Sequence, residues 1–305
     1  MTTSQVARSE LFGTTEASPG SHFVKNSRRA GRGIWIATIT AYLVTFVVML
    51  PLLWILLLSF RSSDDILSRP FSVSNLTTQN YKTVVDTLNL MLMYRNTFIL
   101  AVVSVVVGLV VSFMAAFALT RMVFRRRRRR LQKWLRYYFL AGLAVPVYIL
   151  LFPVYRLDLT FHLFGTYAAL ILPYIAISIP FNILLLTGFL VEFPEELEQA
   201  AIIDGVGLFS LCTRVVLPLM RPVIATLLIL NIIYVWNEFP FAVTLINKSS
   251  LTTLPLGVSQ FQGVWSTDYG AEMAAAALVL VPQLVVFAVF QRQVIEGMTL
   301  GAVKG

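Results

Sequence analysis

The sequence is short of charge. Only 13% of its 305 residues are Asp, Glu, Lys or Arg, where a soluble globular domain carries about a quarter. That scarcity points away from a soluble domain before any motif is read. Cysteine is nearly absent too. A single residue, Cys212, excludes an internal disulfide and reads as a small apolar helix residue. Histidine occurs twice, His22 in a polar N-terminal stretch and His162 in a short loop. No HExxH, no cysteine pair and no Asp/Glu/His cluster at ligand spacing is present, so no metal site is expected. A G-x-x-x-x-G-K-[ST] phosphate loop is missing, so this chain is not itself a P-loop ATPase. Serines are plentiful, but none stands in a G-x-S-x-G context and no histidine is placed as a base.

What the chain has is apolar length. It is 57% hydrophobic, with mean hydropathy +0.78. Residues 34–60, 97–119, 137–155 and 166–191 are long uncharged runs, 222–246 hold one acid, Glu238, and 273–290 form the last run. A helix needs roughly 20 apolar residues to cross the hydrocarbon core. Six spanning helices are therefore expected, the run at 137–155 being the shortest. None of the runs shows the alternation of barrel strands. The first is too long for a signal-peptide core and lacks a cleavage site, so it reads as a retained helix.

Six spans put both termini on one side. Residues 1–33, 120–136, 192–221 and 292–305 carry 18 Lys and Arg, against 6 in the opposite loops. The positive-inside rule makes the richer side cytoplasmic, in a plasma (inner) membrane. Arg125–Arg130 supply much of the net charge of +9. They lie between two spans without the interleaved aromatics that stack bases. They read as a topogenic anchor that attracts anionic membrane lipid, and nucleic acid is not expected as a partner. The expected organisation is a disordered polar tail at 1–33, a six-helix membrane domain at 34–292, and a tail at 293–305 on the same side as the first.

Residues 194–219, PEELEQAAIIDGVGLFSLCTRVVLPL, interrupt this pattern with four carboxylates. Pro194 and the acids after it suit a helix start. Asp204-Gly205 and Gly207 break the helix, and a second short run from Leu208 ends at Leu217-Pro218. Two short helices at an angle are expected, with Ala200, Ala201 and Gly205 forming a face shallow enough for close approach. A helix lying on anionic headgroups would be basic on its polar face, and this one is acidic. A soluble docking partner fits better.

Here the segment resembles the EAA loop of ABC-importer permeases. Gln199-Ala200-Ala201 stands at E-A-A, Asp204-Gly205 at D-G, and Leu217-Pro218 at the closing L-P. Gln199 departs from the acid of the pattern, which removes a possible ion pair with the ATPase. "SFRSSDDI" at 59–66, "WNEF" at 236–239 and "GMTLGAVKG" at 297–305 resemble the smaller membrane subunit of maltose-type carbohydrate importers. The resemblance implies an all-α, polytopic type I importer permease. Its loop 192–221 would couple to ATPase subunits through Glu198, Gln199, Ala200, Ala201, Asp204, Gly205, Leu217 and Pro218. It also implies a second, homologous permease, an extracytoplasmic substrate-binding protein, and ATP with Mg on the partner ATPase rather than any cofactor on this chain. A secondary transporter without an ATPase is the competing class. It finds no inverted repeat in the sequence, and a docking loop would have no purpose there.

Sugars are held by aromatic faces and by amide or acid groups on hydroxyls. Tyr148, Tyr174, Asn182, Asn231, Trp236, Asn237 and Glu238 offer those types within the spans. Each also has a plainer reading. The asparagines suit bonds between helices, and Glu238, near Pro240, lies toward the external end. Prolines 146, 153, 173 and 180 suggest kinked helices. In the loop 247–271, Phe261, Trp265 and Tyr269 recur every four residues, as one aromatic helical face would. The resemblance implies contact with the binding protein there; an interfacial aromatic belt is the alternative.

Overall fold

The structure is a computed structural model. It describes residues 22–121, 128–192, 195–263 and 266–300, with side chains over 35–121, 130–192, 196–263 and 266–291. Contacts divide the chain into two units, Met1–Trp54 and Ile55–Gly305. The first consists of most of α1 (His22–Leu58). The helix starts inside the segment expected to be a disordered tail. Residues 35–51 are exposed throughout, an apolar surface suited only to lipid.

In the second unit, α2 (Ser63–Ser68) and α3 (Gln79–Thr87) precede α4 (Leu90–Arg121). Then come α5 (Arg128–Ala141), α6 (Leu151–Thr160), α7 (Tyr167–Glu192) and α8 (Glu195–Ile203). The chain continues through α9 (Leu208–Ser210), a π-helical turn (Leu211–Val216), α10 (Leu217–Leu219) and α11 (Arg221–Trp236). It ends with α12 (Pro240–Leu245), α13 (Leu254–Val258) and α14 (Tyr269–Leu300). Among the described residues no strand forms, and a lone bridge pairs Gln262 with Thr267.

Among the described residues, four helices are long and apolar enough to span a membrane: Trp35–Leu58, Leu90–Arg121, Tyr167–Glu192 and Tyr269–Gln291. Six are reached by counting two bent pairs, Arg130–Ala144 with Val147–Thr160 at 94°, and Leu208–Leu219 with Arg221–Trp236 at 75°. The run at 137–155 is thus not one straight helix. Its break falls at Val145-Pro146, where the ring excludes the α conformation for the residue before it. Pro173 and Pro180 leave α7 a single helix. Gly142 lies so close to Pro180 that a Cβ there would meet its ring at 2.7 Å. The run at 222–246 is also interrupted. It ends at Trp236, and Pro240 opens α12, a first-turn position where its missing N–H costs nothing.

The core is built on α4, α7 and α11. Leu100, Leu109, Phe113, Leu170, Leu186 and Leu227 pack in one buried cluster. Gly108 lets α4 approach α7 closely; a Cβ on it would lie 2.8 Å from Ser178 Oγ. Small residues at crossings substitute for the hydrophobic drive that lipid removes. Across this contact Asn182, wholly buried, donates to Ser112 Oγ at 3.4 Å. It accepts from Asn231 Nδ2 at 2.8 Å, and Asn231 also donates to the Leu227 carbonyl. Three helices thereby share one chain of hydrogen bonds.

Replacing Asn182 with Leu should cost about 0.6 kcal/mol for each bond lost. In detergent the melting transition should drop by about 2–5 °C, followed by tryptophan fluorescence, with transport selectivity unchanged.

Candidate functional site

The segment after α7 folds against the bundle end where α4 and α7 finish. Helix α8 closes with a Schellman cap: Gly205 N–H donates to the Ile202 carbonyl and Val206 N–H to that of Ala201, both at 3.0 Å. Gly205 takes φ +78°, the left-handed conformation that a side chain resists. The Asp-Gly pair is therefore a helix stop with a defined exit angle. Val206 and Ala201 both pack onto the core cluster.

The loop has two faces. Leu197, Ile202, Ile203, Leu208 and Phe209 are exposed, Ile203 by 84% and Phe209 by 75%. Gln199, Ala200, Asp204 and Gly205 share that exposure. Glu198 turns the other way. It is buried and pairs with Arg121, Oε1 standing 2.7 Å from Nε. Leu217 and Pro218 are half-buried, and Leu217 packs on the core. The expected docking face thus contains Gln199, Ala200, Asp204 and Gly205. Ala201 is half turned inward, and Glu198 belongs to the bundle. The expected helix start at Phe193-Pro194 lies outside the described residues, as do residues 125–127 of the arginine run.

The polar groups within the spans sort by what they touch. Glu238 is buried; its carboxylate accepts from Phe241 N–H at 2.7 Å, Ala242 N–H at 3.2 Å and the Tyr174 hydroxyl. It satisfies the first turn of α12. Tyr174 is buried beside it, edge-on to Phe241. Trp236 stacks at a tilt on Tyr94 and donates to the Val279 carbonyl at 3.3 Å. Together with Asn182 and Asn231 these residues hold helices together. Tyr148, 62% exposed, and Asn237 remain on the surface. Tyr234 is exposed within electrostatic reach of Tyr148 and Glu238. Sequence reasoning passed over Tyr234, although its spacing from Trp236 and Glu238 was the available signal.

At the opposite end the segment 247–271 is no free loop. Asn96, fully buried, donates to the carbonyls of Ser250 and Thr252, both at 3.0 Å, and accepts from the Tyr167 hydroxyl at 2.6 Å. Thr97 Oγ1 accepts from Leu254 N–H at 3.0 Å. Phe261 is buried among Val84, Leu88, Met93 and Leu254. The chain then turns at the Gln262–Thr267 bridge before Tyr269 opens α14. The expected continuous aromatic face therefore does not form: Phe261 serves a second core cluster, Tyr269 is exposed, and Trp265 lies outside the described residues. Arg61, wholly buried, was missed by sequence reasoning. It donates to the carbonyls of Asp65, Arg69 and Pro70 at 2.6–2.9 Å and folds the chain before α3 into an ordered cap.

Comparison with known proteins agrees with this architecture. The family model described as "Binding-protein-dependent transport system inner membrane component" matches residues 108–299, which include the loop, α7, α11 and part of α4. The diacetylchitobiose uptake system permease DasC of Streptomyces coelicolor is 31% identical over 274 residues, 89% of this chain and 97% of that protein. The trehalose transport system permease SugB of Mycobacterium tuberculosis is 31% identical over 281 residues, 88% and 98% of the two chains. A solved bacterial ABC transporter that imports the acidic polysaccharide alginate superposes with TM-score 0.69 at 18% identity, covering 87% of this chain and 97% of its own. At that identity it supports the fold alone. A secondary transporter is set aside by the family match, and catalysis is not this chain's task. With its spans, bent helices and capped loop in place, the chain belongs to the binding-protein-dependent transport system inner membrane components, as a multi-pass permease subunit of an ABC importer.

Proposed function

We propose that this permease admits a carbohydrate, forms its path with a second permease, and docks ATPase subunits through the exposed face of α8 and the turn after it. The observation that carries the docking is the group Leu197, Ile202, Ile203, Leu208 and Phe209, exposed on a loop that also presents Asp204 and Glu196. An apolar patch rimmed by polar groups marks a protein partner. The positive-inside bias places this end, with both termini, in the cytoplasm. There the ATPase subunits bind ATP with Mg and hydrolyse it. The opposite end faces the substrate-binding protein. An open polar depression of about 670 Å³ lies there, lined among others by Ser63, Asp65, Asn75, Thr77 and Asp268.

Carbohydrate is favoured by the substrates of the relatives, diacetylchitobiose and trehalose. Tyr148, Tyr234 and Asn237 are the exposed aromatic and amide groups suited to line the path. In reconstituted membranes, disaccharide-loaded binding protein should stimulate ATP hydrolysis. Stimulation only by a loaded amino acid or ion would overturn the substrate class.

Ile203→Asp and Phe209→Asp should each abolish ATPase copurification while the protein still inserts at normal abundance. Persistent association would remove the patch from the docking surface.

Gly205→Val should impair uptake, because left-handed backbone costs an L residue about 1–2 kcal/mol and tilts the exit from α8. Gly207→Ala is the control. Gly207 has extended backbone, φ −67° and ψ 159°, and open space where a Cβ would stand, so uptake should be retained.

A further inference from the structure

The residue that ends α4 reaches three elements at once. Arg121 places Nε 2.7 Å from Glu198 Oε1 on α8. Its Nη2 donates to the Leu190 carbonyl at 2.6 Å, in the last turn of α7. Both side chains of the pair are about nine-tenths covered, with 9% and 10% exposure. A guanidinium suits this position. Its rigid fork can serve a carboxylate and a carbonyl together, and the C-terminal ends of α4 and α7 favour positive charge.

Elsewhere α8 contributes little to the core. Glu196, Leu197, Gln199, Ala200, Ile202 and Ile203 face outward, while Ala201 makes a shallow apolar contact. A small methyl against apolar neighbours slides easily. A buried ion pair with a second hydrogen bond does not, since parting it leaves two desolvated charges.

We infer that Arg121 and Glu198 form a strut that carries displacement of the docking helix into the ends of α4 and α7. They are positioning residues for transport, not contacts to the ATPase. The inference rests on the docking reading proposed above. Because α4 and α7 form the core contact, a push received at Ile203 reaches the membrane helices through this pair first. The path is two side chains long and involves no rearrangement of the intervening backbone.

The test uses the full permease, assembled with its ATPases and binding protein in proteoliposomes. It measures ATP hydrolysed for each substrate molecule imported. Glu198→Gln and Arg121→Lys should leave assembly and stimulated hydrolysis near normal and lower uptake per ATP by about tenfold. The double variant Arg121→Glu with Glu198→Arg should recover part of the loss. It restores the pair but not the bond to Leu190. A purely structural pair would behave differently: uptake, hydrolysis and abundance would fall together, and the ratio would stay constant. That result, or an unchanged ratio in folded Arg121→Lys, overturns the strut. Failure of the docking reading shows separately, as ATPase association that survives Ile203→Asp.

Discussion

The contact of α4 with α7 is the constraint on which the rest depends. Gly108 sets its closeness, and Ser112 with Asn182 fixes its register. Lipid offers no hydrophobic reward for bringing two apolar helices together, so close packing and polar bonds must select the arrangement. Once α4 and α7 are joined, Asn231 brings α11 to the same hydrogen-bonded chain. The ends of α4 and α7 then stand side by side, which is what allows one arginine to serve both. At the other end, the start of α4 supplies Asn96 and Thr97, which anchor the segment leading to α13.

A second constraint concerns broken helices. A backbone group exposed at a break cannot turn to water within a bilayer, and at three places a buried polar side chain takes up such groups. Glu238 accepts the amides that open α12. Arg61 donates to the carbonyls of the turn beyond α1. Asn96 donates to those of the segment after α12. Ionisable groups within a span often mark a substrate path. Here their geometry is consumed by the backbone.

The loop from α8 to α10 joins these two themes. Its outer face is apolar and unpaired with the chain, as a partner surface is. Its inner face carries one acid directed at one base. The Schellman cap at Gly205 fixes the exit from α8, and a 75° bend follows between Leu208–Leu219 and α11.

Composition and run length alone determined that this chain is helical and membrane-spanning, because the bilayer dictates roughly 20 apolar residues for a span. The pattern from Gln199 to Pro218 alone set this segment apart from the spans, since its acids and glycines stand out against apolar flanks. Which residues face which way was not legible there. Glu198 and Gln199 are neighbours in the chain, and only packing against Arg121 shows that Glu198 turns inward while Gln199 stays exposed. Phe261 and Tyr269 match helical spacing, but the turn at Gln262–Thr267 separates them into a core residue and a surface one. Pro146, Pro173 and Pro180 look alike in sequence. The helix breaks at Pro146, while α7 runs on through the other two. Local propensity names the residues able to bend, cap or pair. The partner that each meets comes from packing between segments distant in the chain, and that was decided by the tertiary structure.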